Sequence, residues 1–203
     1  MSWESDRGTV VRRTAFTGVG TALVTPFTAS GALDEAAVRR LARRQIDGGV
    51  HFLCPCGTTG ENPTLTDIER VRIVEILVEE AQGAVPVLAG AGGYDTKEVI
   101  HLAGLMQAAG AAGLLSVTPY YNKPTQEGLY RHYKAIADST PLPIVVYNVP
   151  GRTGVNVDVA TLTRLAGIPT IVGVKEASGN VTQMCEICRS VPDHFSMRRS
   201  VPD

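Results

Sequence analysis

Six short apolar runs recur along the chain, each followed by a segment with helical spacing, and this repeat restricts the fold more than any other feature. Two of the runs, LPIVVYNVP at 142–150 and TIVGVKEA at 170–177, show no alternation of polar and apolar residues. Strands of that kind are covered on both faces, as in a parallel sheet flanked by helices. We predict strands within six segments: Gly18–Phe27, His51–Cys56, Val85–Ala91, Gly113–Pro119, Pro143–Val149 and Thr170–Ala177.

The segments between the runs carry signals for the start of a helix. Thr66 with Glu69, and Asp95 with Glu98, have the spacing of capping boxes, in which a hydroxyl or carboxylate oxygen satisfies free amide groups. Apolar stripes at helical spacing follow, and they predict helices that pack against the sheet. The stripes are Val38, Leu41 and Ile46 in the first helix, and Ile68, Val71, Val74, Leu77 and Val78 in the second.

Alternating strands and helices fit either a doubly wound sheet or a (β/α)₈ TIM barrel, and periodicity does not choose between them. The glycine-rich segment GAGGY at Gly90–Tyr94 follows a strand, but it lacks the GxGxxG fingerprint of dinucleotide-binding sheets. A tight turn between a strand and a helix explains it better. The sequence therefore argues against a dinucleotide-binding domain.

The composition indicates a globular protein that acts on a small molecule. Of 203 residues, 44% are hydrophobic and 19% charged, and the formal net charge is −1. A balanced charge offers no basic surface for nucleic acid or an anionic membrane. The segment Met1–Thr14 is charged and has no apolar core of a signal peptide, so we expect a cytoplasmic protein.

The four cysteines form two close pairs, Cys54/Cys56 in a predicted strand and Cys185/Cys188 in a helical pattern. A tetrahedral zinc ion could in principle use all four thiolates. Without secretion a disulfide is not expected, and buried free cysteines are common in protein cores. We therefore expect four buried free thiols and no metal site.

Polar residues with chemical potential follow four of the predicted strands. In a parallel sheet the carboxyl ends of all strands lie on one side, where α/β barrels place their active sites. Four strands would therefore deliver hydroxyls, a guanidinium and an amine to one face. The candidates are Thr58, Thr59 and Glu61, then Tyr120, Tyr121 and Asn122, then Tyr147, Asn148 and Arg152, and finally Lys175 and Glu176.

Lys175 is the most informative of these residues, because it interrupts an apolar strand. The other lysines, Lys97, Lys123 and Lys134, lie in loop or helical contexts. Burial among apolar side chains favours the neutral amine, which is the form that attacks carbonyl groups. The local sequence equally permits a lysine that points into solvent at the end of the strand.

The other candidates are ambiguous when taken singly. Thr58 and Thr59 lie in a Gly-flanked turn whose amides and hydroxyls suit a small carboxylate, but such a turn can also cap a helix. Tyr147 could simply pack its ring and tie off its hydroxyl. Arg152 could be a solvated loop charge, or it could bind a carboxylate with both arms of its guanidinium.

Five segments together resemble the signature blocks of the dihydrodipicolinate synthases, in the same order and spacing. The segments are GVGTALVTPF, GTTGE, VTPYYNKPTQEGLY, YNVPGRTG and GVKEASGN. The resemblance covers about residues 16–195. It implies a (β/α)₈ barrel of the class I pyruvate aldolase type, a lyase that joins pyruvate to aspartate semialdehyde in lysine biosynthesis, and no metal or organic cofactor.

The resemblance also implies catalytic roles for four residues. The lysine matching Lys175 forms a Schiff base with pyruvate, and the resulting enamine attacks aspartate semialdehyde. The tyrosine matching Tyr147 is the general acid and base. The threonine matching Thr58 links it to the tyrosine matching Tyr121, which reaches in from a neighbouring subunit. A homodimer or homotetramer is therefore expected.

Two further residues match substrate-binding positions of the family. Thr59 matches a residue beside the pyruvate carboxylate, and Arg152 matches the arginine that binds the semialdehyde carboxylate. Sialic-acid and sugar-acid lyases of the same superfamily resemble this chain at the lysine and GxTGE blocks, but they typically lack arginine in that turn. The synthase is therefore preferred, and a related lyase is the alternative.

The carboxyl-terminal residues depart from the family pattern. The segment SMRRSVPD stands where a seventh strand is expected, and RSVPD at Arg199–Asp203 repeats RSVPD at Arg189–Asp193. We expect an amino-terminal tail at 1–15, a partial barrel of about six βα units at 16–195, and an aberrant tail at 196–203. A truncated, non-catalytic remnant is thus the alternative from a different class.

Overall fold

A computed structural model describes residues 16–199, in which each strand except the last is followed by one or two helices that lie around a parallel sheet. The strands are β1 Gly20–Ala22, β2 Phe52–Cys54, β3 Leu88–Gly90, β4 Gly113–Val117, β5 Ile144–Asn148, β6 Ile171–Glu176 and β7 Ser196–Arg199. Neighbours in sequence are neighbours in space, and every ladder is parallel. A single parallel bridge between Leu53 and Val87 joins β2 to β3. This order is that of a TIM barrel.

All of the α-helices except the single turn Pro150–Thr153 begin after a residue whose side chain caps them. The α-helices are α1 Glu35–Asp47, α2 Asp67–Ala81, α3 Thr96–Ala108, α4 Gln126–Ser139, α5 Pro150–Thr153, α6 Val159–Ala166 and α7 Val181–Ser190. Thr66 and Glu69 form the predicted capping box at α2. Asp95 caps α3, but it accepts from the amide of Lys97. A side-chain oxygen thus satisfies amide groups that the first turn of a helix leaves unpaired.

Strands β2 to β6 bury both faces, which explains their continuous apolar character. One cluster lies inside the curved sheet and is formed by Phe16, Phe52, Cys54, Leu88, Leu115, Val145, Tyr147 and Val149. Alternate strand residues, such as Leu53, Leu114, Val146 and Val174, pack in a second cluster with the helices. Because successive strand side chains point to opposite faces, each of the strands β2 to β6 supplies both clusters. The inner cluster forms the floor under the carboxyl ends of the strands.

All six predicted strands are confirmed, and each lies inside its predicted segment. The prediction for Ile68 was wrong, because its side chain is 83% exposed. Ile68 precedes the buried Leu77 by nine residues, which is about two and a half helical turns, so the two side chains point in opposite directions.

The expectation that residues 196–203 replace the seventh strand was also wrong for its first half. Ser196–Arg199 form β7, which pairs in parallel with Gly173–Glu176 of β6. Lys175 therefore lies on an inner strand of the sheet. The predicted tail at 1–15 lies outside the described residues, as do residues 200–203.

Two further properties concern the membrane and the thiols. Within residues 16–199, no helix has both the length and the apolar character needed to cross a membrane. The expectation of four buried thiols holds for Cys54 and Cys56 only, since Cys185 and Cys188 are exposed on α7.

Candidate active site

Lys175 and Tyr147 face each other across the ladder between β5 and β6. They are register partners, and the Nζ atom of Lys175 lies 4.2 Å from the centroid of the Tyr147 ring. Tyr147 is 6% exposed and belongs to the inner cluster, while Lys175 is half-buried. An ammonium over an aromatic face is attracted by the ring's negative π-surface. The amine is therefore held at a defined place on the inner face of the sheet.

A register shift in β6 produces this pairing. Ile144 pairs with Ile171, but the next residue of β5, Val145, pairs with Gly173. Had the first register continued, Lys175 would stand opposite Asn148 and on the outer face. An extra residue in one strand re-aims the side chains that follow, and such bulges are common beside active sites. The bulge thus places the amine beside Tyr147.

A cavity of about 450 Å³ opens at the carboxyl ends of β2 to β5. Of the residues with a predicted catalytic or substrate-binding role, Thr58, Tyr147 and Arg152 line it directly. Lys175 does not line the cavity itself. Its Nζ contacts the ring of Tyr147, and Tyr147 is a lining residue. The other lining residues are Cys56, Gly57, Asn62, Pro63, Gly90, Ala91, Gly92, Leu115, Val117, Tyr120, Val149 and Thr153. An apolar cavity with a few convergent polar groups is typical of small-molecule sites.

Thr58 and Thr59 lie in a tight loop after β2. The amide of Gly60 donates to the carbonyl of Gly57, and the amide of Glu61 donates to the carbonyl of Thr58. The buried hydroxyl of Thr25 donates to the carbonyl of Gly60 at 2.7 Å and ties the loop to the end of β1. Thr58 reaches the cavity wall, whereas Thr59 is exposed and is not part of it.

Tyr121 lies outside the cavity in this chain. Its side chain is 89% exposed, and its backbone has a φ of 69°, in the left-handed region that bulky residues rarely adopt. The neighbouring Tyr120 lines the cavity and packs edge-on against Tyr94 at 5.4 Å between ring centroids. The turn therefore directs Tyr120 to the site and Tyr121 to the surface.

Arg152 belongs to the single-turn helix α5, directly after β5. The hydroxyl of Thr153 donates to the carbonyls of Val149 and Val155, which ties this turn to the end of the strand. The side chain of Arg152 is exposed on one side and lines the cavity on the other. A guanidinium in the wall of a mostly apolar cavity is suited to bind a carboxylate.

The cysteines near the site are not nucleophiles. Burial raises the pKa of the Cys54 thiol to about 11, an effect that the positive charge of Lys175 partly offsets. Burial also raises the pKa of Cys56, which lines the cavity, to about 12, and the neighbouring Cys54 adds to this shift. Because the thiolate is the reactive form, both side chains act as small apolar residues.

Three residues beside the site were not assigned a role from the sequence. Asn62 lines the cavity, and its buried Oδ1 has no hydrogen-bond partner among residues 16–199. Glu176 and Asn148 follow Lys175 and Tyr147 and are register partners of each other. Both side chains are fully buried, with an exposure of 0%. Successive side chains of a strand point to opposite faces. Placing Tyr147 and Lys175 on the inner face therefore places Asn148 and Glu176 on the outer face, and this alternation is the signal in the sequence that could have identified them.

The fold and the cavity together define a TIM-barrel protein whose candidate site lies at the carboxyl ends of the strands. The model of the dihydrodipicolinate synthetase family matches residues 15–198, and the chain belongs to this family.

Curated relatives and solved structures agree with this assignment. The chain is 48% identical to a 4-hydroxy-tetrahydrodipicolinate synthase of Chloroherpeton thalassium over 188 residues, which are 92% of this chain and 62% of the relative. It is 54% identical over 173 residues to the enzyme of the same name from Nitratidesulfovibrio vulgaris strain Miyazaki F, covering 85% of this chain and 59% of the relative. The chain thus spans about three-fifths of the length of these relatives.

Among solved structures, dihydrodipicolinate synthase from Aquifex aeolicus superimposes with a TM-score of 0.89 at 41% identity, covering 91% of this chain and 63% of that one. The chloride-inhibited enzyme from Acinetobacter baumannii, solved with pyruvate, gives 0.88 at 40% identity, covering 90% and 63%. These similarities confirm the predicted barrel fold.

Proposed function

We propose that this chain carries the active site of a 4-hydroxy-tetrahydrodipicolinate synthase, a cytoplasmic lyase that condenses pyruvate with aspartate semialdehyde in lysine biosynthesis. The observation that carries the proposal is the pairing of Lys175 with Tyr147, at 4.2 Å between Nζ and the ring centroid, at the edge of the cavity. This contact puts an amine next to a tyrosine side chain that lines the cavity, which is the pair of groups that imine chemistry with proton transfer requires. The family and its named relatives support the choice of substrates.

Lys175 is the proposed nucleophile. Its amine adds to C2 of pyruvate, the carbonyl oxygen leaves as water, and an imine forms. Loss of a proton from C3 gives an enamine, whose C3 bonds to the aldehyde carbon of the second substrate while the aldehyde oxygen takes up a proton. The amino group of the second substrate then attacks the imine carbon, which closes the ring and frees Lys175. The sum is two substrates converted to one cyclic product and water.

Tyr147 is the proposed acid and base for these proton transfers, with Thr58 and Tyr121 completing a hydroxyl relay. Tyr147 and Thr58 both line the cavity. Tyr121 is 89% exposed, so it would serve the cavity of a neighbouring copy of the chain. This placement supports a homodimer or a homotetramer as the active form. A left-handed φ of 69° at a tyrosine is the kind of strained backbone that occurs at functional sites.

The two substrate carboxylates are assigned to different residues. Thr59 in the loop after β2 is the proposed partner of the pyruvate carboxylate, together with the amides of that loop. Arg152 in the wall of the cavity is the proposed partner of the semialdehyde carboxylate. A sugar-acid lyase would need hydroxyl-binding groups at that place, so the guanidinium favours the synthase.

The proposal is tested by comparing three variants of the protein in a condensation assay. Incubation with pyruvate and aspartate semialdehyde should consume both and give the cyclic product, measured by mass spectrometry. Lys175→Ala should abolish the product, and Tyr147→Phe should slow its formation by roughly 10²–10⁴-fold. Lys134→Ala is the matched control, because Lys134 forms a surface ion pair with Asp138. A product from a sugar aldehyde but not from aspartate semialdehyde would assign the chain to the related lyases instead.

A further inference from the structure

A buried carboxylate lies directly behind the candidate nucleophile. Glu176 has an exposure of 0%, and its side chain points to the outer face of β6, away from Lys175. Its Oε2 accepts hydrogen bonds from Asn148 Nδ2 at 2.9 Å and from Gln183 Nε2 at 3.2 Å. Its Oε1 accepts from the backbone amide of Ser178 at 2.8 Å. We call Glu176, Asn148, Asn156 and Gln183 the Glu176 network.

The groups that point at Glu176 are donors, so the position requires an acceptor at both oxygens. An amide in its place would direct an NH₂ group towards the amide of Ser178 or towards Asn148 and Gln183. One buried donor would then be left unsatisfied, which is more costly than the loss of an average hydrogen bond. The need for a carboxylate here, and not merely for a polar side chain, is what distinguishes Glu176 from an ordinary buried polar residue.

The Glu176 network continues into the segment that carries Arg152. Asn148 Nδ2 also donates to Asn156 Oδ1 at 2.8 Å, and Asn148 Oδ1 accepts from the amide of Val157 at 3.1 Å. Asn156 Nδ2 donates to Gln183 Oε1 at 2.9 Å. Residues 149–157, which we call the arginine turn, are therefore fixed at their carboxyl end to the side chains of Asn148 on β5 and Gln183 on α7, both of which bind Glu176. Their amino end is fixed by β5 itself.

A second contact holds the arginine turn from the opposite side. Gln126, the first residue of α4, donates from Nε2 to the carbonyl of Asn156 at 2.7 Å and accepts the amide of Asp158 at 3.2 Å. The turn is thus held between the start of α4 and the Glu176 network. A guanidinium that must bind one carboxylate beside a fixed imine needs this kind of support, because a displacement of about 1 Å can cost a large part of catalysis.

We propose that Glu176 is a positioning residue that, through Asn148, Asn156 and Gln183, sets the place of Arg152 relative to Lys175 and so determines the affinity for the second substrate. This inference rests on the proposed function, because it assigns the arginine turn to the carboxylate of the aldehyde. Glu176 itself touches neither substrate. Its loss should therefore affect the second substrate more than the formation of the pyruvate imine.

The first test compares Glu176→Gln with Glu186→Gln, which changes an exposed glutamate on the same helix as Gln183. Glu176→Gln should raise the KM for aspartate semialdehyde by roughly tenfold or more, since it removes hydrogen bonds to a charged group. The rate at which borohydride traps the pyruvate imine should change by less than about twofold. Hydrogen exchange in the peptide that contains Val157 should accelerate. Glu186→Gln should alter none of these quantities.

Two further variants separate positioning from simple loss of the fold. Asn156→Ala removes the side-chain bonds of Asn156 to Asn148 and Gln183, while Asn148 and Gln183 stay bonded to Glu176 and the amide of Val157 stays bonded to Asn148. It weakens the coupling without touching Glu176, so it tests the inference if Glu176→Gln does not fold. It should raise the same KM in the same direction. The double variant Glu176→Gln with Gln183→Glu returns a carboxylate to the network and should recover part of the lost affinity.

Three results would overturn the inference. An equal loss in imine trapping and in semialdehyde affinity would make Glu176 merely structural. An unchanged KM in both Glu176→Gln and Asn156→Ala would remove its role, as would unchanged exchange at Val157. A wild-type protein that forms no imine would contradict the proposed function instead, and the exchange measurement would then decide alone whether Glu176 holds the turn.

Discussion

The α-carbon of Gly90 lies against the carbonyl oxygen of Cys56, so closely that a Cβ added at Gly90 would overlap that oxygen. Both residues line the cavity, Cys56 after the end of β2 and Gly90 at the end of β3. The amide of Gly90 also donates to the carbonyl of Pro55 at 2.9 Å. The cavity wall between these strands is therefore backbone packed on backbone, where a glycine is needed for close approach.

Gly90→Ala should destabilise the protein by about 1–3 kcal/mol, because the backbone must shift to accept the methyl group. Gly104→Ala is the matched control, since Gly104 lies within α3 and a Cβ there meets nothing within 4 Å. It should stabilise the protein by about 0.5–1 kcal/mol through its higher helix propensity. Urea unfolding midpoints measure both. Equal effects of the two substitutions would show that the close approach at Gly90 is not as described.

Arg152→Lys should weaken the step that uses aspartate semialdehyde far more than imine formation. An ammonium cannot reproduce bidentate binding of a carboxylate, and hydrogen bonds to charged groups contribute about 1.5–3 kcal/mol. The KM for the aldehyde and the rate of imine trapping are measured in parallel. Arg131→Lys, at a surface ion pair with Glu127, is the control. Equal losses in both steps would assign Arg152 a structural role.

His132 on α4 should make the protein less stable at mildly acidic pH. Burial lowers the pKa of its imidazole to about 4, an effect that the charge of Asp95 partly offsets. The unfolded chain takes up this proton near pH 6.5, so between pH 6.5 and 4 the unfolded state binds more protons. As the pH is lowered from 6.5 to 4, the free energy of unfolding should therefore decrease, by up to about 1.4 kcal/mol per pH unit.

The check is the pH dependence of unfolding in wild type and in His132→Asn, which cannot titrate there. The side chain of His132 shares a hydrogen bond with Thr96 Oγ1 at 2.8 Å, and a short amide can replace part of it. The variant should lose the extra slope between pH 6.5 and 4. Identical slopes in the two proteins would mean that His132 is not the group responsible.

The thiols should divide into two classes under native conditions. Cys185 and Cys188 are exposed on α7, whereas Cys54 and Cys56 are buried with raised pKa values. A thiol reagent at neutral pH should label the first pair within minutes and the second pair only on unfolding, because the thiolate is the reactive form. Mass spectrometry of tryptic peptides assigns the sites. Rapid native labelling at Cys56 would contradict the closed floor of the cavity.

The sequence predicted the strands and the side of the sheet that carries the site, but not the details that depend on register. Continuous apolar runs identify strands buried on both faces, and polar residues at their ends identify the carboxyl edge. The shift at Val145 that brings Lys175 opposite Tyr147 leaves no trace in the apolar pattern. The role that we propose for Glu176 depends on the same shift, because a one-residue slip exchanges the two faces of a strand.

The strand β7 was missed for a different reason. Ser196–Arg199 contains a single strongly apolar residue, Met197, so neither alternation nor a continuous run indicates a strand there. Its pairing with β6 comes from the tertiary context, which often overrides weak local preference. The apolar pattern alone does not indicate the exposed position of Tyr121 either, which only the family resemblance led us to expect; the turn holds two left-handed residues, Tyr121 and Lys123.

The most direct test of the account is to trap the imine chemically. Borohydride added to the protein with pyruvate should reduce the Schiff base to a stable adduct, and peptide mass spectrometry locates it. The sequence has four lysines at which the adduct could be located, Lys97, Lys123, Lys134 and Lys175. The account predicts a pyruvate-dependent adduct on Lys175 alone, whereas an adduct on another lysine, or none in the folded protein, would contradict it.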